Sequence, residues 1–296
     1  MTKYNIFDGS RKFLQMASIL ELESIATQVR RDIVRMVNGA ASGHPGGPMG
    51  AADFLVALYF DIMKPDHAAF TMDGKGEDLF FLSNGHLSAG WYSVLARYGY
   101  FNIAELATFR KLGSRLQGHP AVSDKLPGIR MSSGSLGQGL SVAIGAAIAK
   151  RLNGDKHLVY CLLGDGELQE GQNWEALMFA AARKVDNLVA VIDYNGKQID
   201  GPVDSVLPMG DLAAKFEAFG WKVFEMYGTD IEEVIQTTKK AQWFTGQEQP
   251  VMIIMTTRMG YGVDFMTDNH EWHGVPPTDI QAAQALSQLS ETIGDY

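Results

Sequence analysis

The sequence predicts an α/β protein built on a doubly wound, mainly parallel sheet flanked by helices. Three observations lead there. Short apolar runs bounded by Gly, Asn or Asp recur along the chain. Segments with helical periodicity separate them. The runs are apolar at successive positions, as strands covered on both faces must be.

Taken in order, residues 22–37 place Ile25, Val29, Ile33 and Val37 at helical spacing, and Asn38-Gly39 is expected to stop that helix. Pro48 is expected to open a second helix, with Phe54, Leu55, Leu58 and Ile62 on one face. These consecutive helices are expected to lie outside the sheet core. "LFFLS" reads as a strand ending at Asn84-Gly85, and further strands are read at 157–163, 187–193, 221–226 and 251–257. Helical patterns fill 137–152, 173–184, 211–219 and 230–243. In the second of these, Trp174, Leu177, Met178 and Ala181 share one face. There are no repeats or long linkers, so one domain over residues 1–296 is the economical reading.

Bulk properties narrow the function. The chain is 46% hydrophobic and 20% charged, enough for a substantial core. No apolar stretch is long enough to cross a bilayer, and "MTKYNIFDGSRKFLQ" has no apolar signal core. The lone Cys161, inside an apolar run, excludes an internal disulfide and reads as a packed thiol. Together these features point to the cytoplasm. A net charge of −9 argues against nucleic acid as a partner. It still permits a phosphorylated small molecule held by backbone amides and a bound cation.

The most informative stretch is "YCLLGDGELQEG", where a strand ends in Gly-Asp-Gly. Alone, that tripeptide is usually a surface turn. The next strand, however, runs into "DYNGKQIDG", and one helix plus one strand fit between Gly166 and Asn195. A right-handed crossover then brings Asp165 and Asn195 to the same edge, where open α/β sheets bind ligands. An Asp carboxylate, an Asn amide oxygen and a main-chain carbonyl, with Lys197 the candidate, make a hard-oxygen half-shell suited to Mg²⁺, or to Ca²⁺ in its place. Gly164 and Gly166 let a diphosphate approach the backbone. Four histidines beside glycines, His44, His86, His119 and His273, are expected at the same edge, where imidazole can bind hydroxyls and move protons.

"GDGELQEG" followed by "DYNGKQIDG" resembles the thiamine diphosphate signature. "SGHPGGP", "LSNGH", "QGHP", "SSGSLGQG" and "HEWHGVPP" narrow the resemblance to transketolases, over roughly residues 20–280. The resemblance implies the thiamine-diphosphate-binding fold in its diphosphate-binding form, with thiamine diphosphate and Mg²⁺ as cofactors. It implies that His86 contacts the diphosphate and that His44, His119 and His273 line the substrate channel, His273 also touching the diphosphate. Gly134, Ser135 and Leu136 would meet the aminopyrimidine ring. Ser135 replaces a proline common in full-length enzymes, which matters little if the contacts are mainly backbone and Leu136. Glu170 would stand at a subunit interface, in a proton-conducting network. Read locally, Glu170 and Glu175 are simply favourable charges near a helix N-terminus. His270 is a weaker channel candidate, and His67 and His157 read as surface residues.

The activating glutamate of the family belongs to a pyrimidine-binding domain that would begin where the resemblance ends. The expectation is therefore the N-terminal subunit of a split transketolase. A separate C-terminal subunit would supply that domain and the basic residues for the sugar phosphate, in an α2β2 heterotetramer. The reaction would move a two-carbon ketol unit between sugar phosphates, as in pentose phosphate metabolism. The alternatives are the α-subunit of a 2-oxo acid dehydrogenase, a deoxyxylulose-phosphate synthase fragment and a non-catalytic subunit of the same fold.

Overall fold

The computed structural model describes residues 17–296; the N-terminal "MTKYNIFDGSRKFLQ" segment lies outside the described residues. The description opens with α1 (Ile19–Ala40), started by a capping box in which Ser18 and Glu21 satisfy each other's backbone N–H groups. Gly39 does not stop it. The turn closes at Ala41, in the left-handed conformation, whose N–H donates to Asn38 O and Val37 O. Next come α2 (Gly46–Gly50), α3 (Ala52–Ala57) and a π-helical turn, Leu58–Met63. Pro48 thus sits inside a first turn that begins at Gly46, a position where its missing N–H does no harm.

The alternating part follows: β1 (Leu79–Leu82), α4 (Ser88–Tyr98), α5 (Gly139–Leu152), β2 (Val159–Gly164), α6 (Gly171–Ala182) and β3 (Leu188–Tyr194). A two-residue ribbon, β4 (Lys197–Gln198) and β5 (Gly201–Pro202), leads into α7 (Val203–Val206) and α8 (Leu212–Ala218). Then come β6 (Lys222–Tyr227), α9 (Ile231–Phe244), β7 (Val251–Thr256) and α10 (Asp279–Gln288). The main sheet has the order β1-β2-β3-β7-β6, and every pairing in it is parallel. The predicted doubly wound sheet is therefore the observed one, and each predicted strand is present within a residue or two.

Alternation along the strands divides the interior in two. Phe80, Tyr160, Val189 and Val251 lie in one row across the sheet and face a core shared with α1, α3, α4 and α9. Leu79, Val159 and Leu188 form the next row and face α5, α6 and α8 through Ile144, Leu177 and Phe216. The N-terminal helices are thus not outside the core, as their consecutive order suggested. They form one of its two layers, and α1 buries Leu22, Ile25, Val29, Ile33 and Val37. Their pattern specified an apolar face without saying that the face meets the sheet.

One polar contact is embedded in that layer. Asp32 of α1, with no exposed surface, accepts from Arg97 Nε at 2.6 Å and Nη2 at 2.8 Å, and from Ser93 Oγ at 2.6 Å. Removing one partner of such a pair strands a buried charge, which costs more than the pair itself contributes. Asp32→Ala should therefore destabilise the chain by about 3–5 kcal/mol in urea denaturation. The double change Asp32→Leu with Arg97→Met should cost clearly less than either single change.

Candidate active site

The parallel register determines which residues meet. Leu82 aligns with Leu162, Gly164 with Asp193, and Tyr194 with Thr256. The segments that follow β1, β2, β3 and β7 therefore emerge along one edge, and they carry Ser83 to His86, Asp165, Asn195 and Thr257.

Asp165 is 2% exposed. Its Oδ1 accepts from the Gly166 N–H at 2.7 Å and its Oδ2 from the Gly196 N–H at 2.6 Å. Asn195 Oδ1 accepts from the Lys197 N–H at 2.9 Å, and its amide donates to Asp193 Oδ2 at 3.3 Å. Asp193, also buried, accepts the Thr257 hydroxyl. Burial, and then the Asp193 charge, push the Asp165 carboxyl up to about 7 despite its backbone donors. Burial lifts Asp193 to about 6. Neither carboxylate has a basic side chain as partner among the described residues.

Two adjacent buried carboxyls without a cation suit a divalent ion, whose charge would offset the desolvation. Among the described residues no three His, Cys, Asp or Glu side chains are grouped as metal ligands. The expected set uses only one carboxylate, with an amide oxygen and the Lys197 carbonyl. The strand tip also has room: a methyl group on Gly164 would meet nothing closer than 3.8 Å, and its φ is not left-handed. The chain's own packing therefore does not demand glycine there, whereas a ligand against the backbone would. Gly166 is tighter, with Gln198 Cβ 3.2 Å from the same construction.

The four glycine-flanked histidines do converge. The His44 ring lies 5.3 Å from His86, 6.2 Å from His119 and 5.7 Å from His273, and His86 lies 5.0 Å from His273. The Nδ1 atoms of His44 and His273 are buried without hydrogen-bond partners. So is the whole amide of Asn84, which has no exposed surface. Burial, and then the charges of His273, Arg110 and His119, bring His44 down to about 4. Burial also leads the downward shifts of His86, His119 and His273. The quartet is thus neutral near pH 7, and each ring offers one donor and one acceptor.

Gly134, at φ 128°, brings the loop down on His119; a Cβ there would lie 2.9 Å from that ring. Ser135 and Leu136 follow it at the surface of the same loop. Glu170 is exposed at the N-cap of α6 with no capping hydrogen bond, outside the histidine cluster, and Glu175 is exposed on the same helix. His270 makes no ring contact with the quartet. His157 is exposed as expected. His67 is half-buried against Tyr98 and Tyr100, so reading it as a surface residue was incomplete. Cys161 is fully buried, and burial pushes its thiol up, as an inert packed group requires.

The residue that sequence reasoning missed is Glu167. It is 2% exposed, and its carboxylate accepts from the Gly137 N–H at 2.8 Å, the Gly164 N–H at 3.0 Å and the Ser83 hydroxyl. Ser83 Oγ in turn accepts from the Gly139 N–H at 3.1 Å. One side chain thereby ties together the end of β1, the loop before α5 and the end of β2. In "GDGELQEG" nothing separates the inward Glu167 from the outward Glu170; the short 3₁₀ turn Gly166–Gln169 decides it.

A family model described as "Transketolase, thiamine diphosphate binding domain" matches residues 22–291. The chain is 38% identical over 272 residues to one subunit of the apulose-4-phosphate transketolase of Actinobacillus succinogenes, covering 92% of this chain and 96% of that one. It is 35% identical to a 6-deoxy-6-sulfo-D-fructose transketolase subunit of Clostridium sp., covering 92% and 97%. It is also 35% identical to human transketolase, covering 92% of this chain but 42% of that one. The solved transketolase of Leishmania mexicana superposes with a TM-score of 0.84 at 33% identity, over 95% of this chain and 43% of that one. The chain thus spans about two fifths of the longer transketolases and nearly all of the subunits.

Glu167→Ala would leave two buried N–H groups and a hydroxyl without their acceptor. We expect a loss of about 3 kcal/mol or more in urea denaturation, with Glu167→Gln intermediate. The histidines give a pH signature. An unfolded His44 takes up its proton near 6.5, but the folded one only near 4. Its neutral burial therefore favours the fold fully above pH 6.5, and that advantage is lost as pH falls toward 4. The thermal midpoint of His44→Gln should fall less steeply than that of the wild type between pH 7 and 4.5.

Proposed function

Because this chain belongs to the transketolase family, we propose that it is the diphosphate-binding subunit of a two-subunit transketolase, moving a two-carbon ketol unit from a ketose phosphate to an aldose phosphate. The reading is carried by one observation: four neutral histidines converge on the sheet edge that also holds Asp165 and Asn195. A polyhydroxylated substrate needs such a set of neutral donors and acceptors, and a 2-oxo acid has little use for it. The relatives, transketolase subunits matched almost end to end, favour ketol transfer over the dehydrogenase α-subunit.

In this reading Asp165, Asn195 and the Lys197 carbonyl hold Mg²⁺, while His86, His273, Gly164, Gly166 and Asn195 receive the diphosphate. Gly134, Ser135 and Leu136 form the floor for the aminopyrimidine. Thiamine diphosphate, when bound, supplies the electron sink for making and breaking the carbon–carbon bond. This chain's part is to orient and to move protons. His44, His119 and His273 bind the donor's hydroxyls and, being unprotonated, offer a ring nitrogen that can accept a proton at the sugar oxygen. The residues form a single domain. A partner chain supplies the pyrimidine-binding domain, in an α2β2 assembly in the cytoplasm, with Glu170 at the contact between subunits.

A tagged copy of this chain, isolated from its native host, tests the proposal. We expect a stoichiometric partner and transfer from xylulose 5-phosphate to ribose 5-phosphate that requires Mg²⁺ and thiamine diphosphate. His119→Ala should abolish transfer while leaving cofactor binding largely intact. A partner without this activity, or normal transfer by His119→Ala, would overturn the assignment of ketol transfer or of its histidine.

A further inference from the structure

His44 and His119 stand on different loops, and one dipeptide, Phe109-Arg110, touches both. The Phe109 ring, 2% exposed, fills the place beside Gly43: a Cβ on that glycine would lie 3.2 Å from it. Arg110 Nη1 donates to Ser42 Oγ at 3.0 Å, two residues before His44. Its Nη2 and Nε lie 2.6 Å and 2.7 Å from where a Cβ on Gly118 would be, so only glycine leaves the guanidinium that place, one residue before His119. Gly118 is tied a second time, its carbonyl accepting from Ser88 Oγ at 2.8 Å. Arg110 itself has a left-handed backbone, φ 57°, uncommon for a residue with a side chain, and its N–H closes the intervening turn on Leu116 O at 2.8 Å.

The guanidinium is built into the protein rather than offered to a ligand. Its Nε is buried, within electrostatic reach of the Tyr92 hydroxyl, and the Tyr92 ring packs on Phe109 with 6.2 Å between centres. Among the described residues no carboxylate lies within 4.0 Å of it. Its charge is therefore not cancelled locally, and both rings feel it. After burial it lowers the proton affinity of His119, and after burial and His273 that of His44. The other rings around His44 are His86 at 5.3 Å and His273 at 5.7 Å, and both belong to the quartet itself.

We propose that Arg110 is a positioning residue: seated on Ser42 and Gly118, it fixes the separation of His44 and His119 and acts on the reaction through those two rings. This rests on the ketol-transfer reading above. The 6.2 Å between the rings is then set by a side chain that belongs to neither histidine turn. Removing the guanidinium would release the Ser42 hydroxyl and leave Gly118 room to shift, so both turns would lose their common seat.

The test uses the assembled enzyme and follows kcat, KM and the acid limb of kcat/KM for xylulose 5-phosphate, alongside thiamine diphosphate affinity. Arg110→Ala should lower kcat by about tenfold or more with KM little changed, because misplaced groups cost rate rather than binding. Losing the charge also raises the proton affinity of both rings, so the acid limb should move to higher pH. Arg110→Lys keeps the charge and loses the fork: kcat should fall while the limb stays in place. Ser42→Ala removes only the hydroxyl, and should lower kcat by less, again with the limb in place. Thiamine diphosphate affinity should match the wild type in all three. A rise in KM alone, or an acid limb unmoved in Arg110→Ala, would overturn the assignment. Cofactor affinity lost in step with kcat would make Arg110 a structural residue and overturn it as well. Unchanged kcat in both Arg110→Lys and Ser42→Ala would do so even if Arg110→Ala does not fold. A wild-type complex without transfer would instead sink the ketol-transfer reading, and this assignment with it.

Discussion

All five strands of the main sheet run the same way, and the site follows from that constraint. Parallel neighbours cannot be joined by tight hairpins, so each connection must cross a face of the sheet. The crossovers supply the helices that bury Phe80 and Tyr160 on one side and Val159 and Leu188 on the other. The same constraint brings every strand's carboxyl end to one edge. Ser83, Asp165, Asn195 and Thr257, far apart in the chain, are brought to that one edge, where Ser83 and Thr257 brace the strand ends through Glu167 and Asp193. Side chains at that edge that are not part of this bracing are free to be chosen for binding, because the cores below carry most of the stability.

Local charge at this edge opposes what the whole molecule suggests. A net charge of −9 would repel a diphosphate, yet the groups gathered at this edge are mostly imidazoles and the backbone N–H donors of Gly166 and Gly196. The exceptions are Asp165 and Asp193, where two effects compete. Backbone donors from Gly166 and Gly196 favour the Asp165 anion, while burial and the neighbouring carboxylate oppose it, and burial wins. The outcome is a carboxyl whose proton affinity is raised well above that of a solvated aspartate. A divalent cation beside Asp165 would offset that cost, and the buried Asp193 behind it would add its charge without being one of the expected ligands.

Much of this was legible in the sequence, for identifiable reasons. Strands buried on both faces are unbroken apolar runs, and 187–193 or 251–257 admit little else. Glycine beside histidine marked the quartet, whereas the close approach of Gly134 to the His119 ring, from another loop, was not marked by any spacing in the sequence. What periodicity could not convey was the partner of an amphipathic face. Helix α1 carries Gln28, Arg30, Arg31 and Asp32 among its buried residues, so it looked like a peripheral helix when it is half of a core. Pro48 misled for a related reason: proline is compatible with several positions of a first turn, and the sequence does not say which.

The two glutamates after Gly-Asp-Gly show where such reading stops. Glu167 and Glu170 are three residues apart, chemically identical, and near the start of the same helix. In a regular helix that spacing would put them on one face. The chain instead makes a 3₁₀ turn, Gly166–Gln169, and then leaves helical geometry at Glu170, whose backbone is extended before α6 begins. That break sends Glu167 inward, where three donors await it, and leaves Glu170 exposed beside Gly137. The inward carboxylate has a job that is complete within this chain, joining three strand-end segments. The outward one makes no capping hydrogen bond at its own helix terminus, where the shorter Asp, Asn, Ser or Thr is the ordinary capping residue. Glu170 therefore stays in water at the positive end of α6, where a carboxylate is favourable without any fixed partner, and the same letter three residues apart serves as an internal tie in one place and a solvated charge in the other.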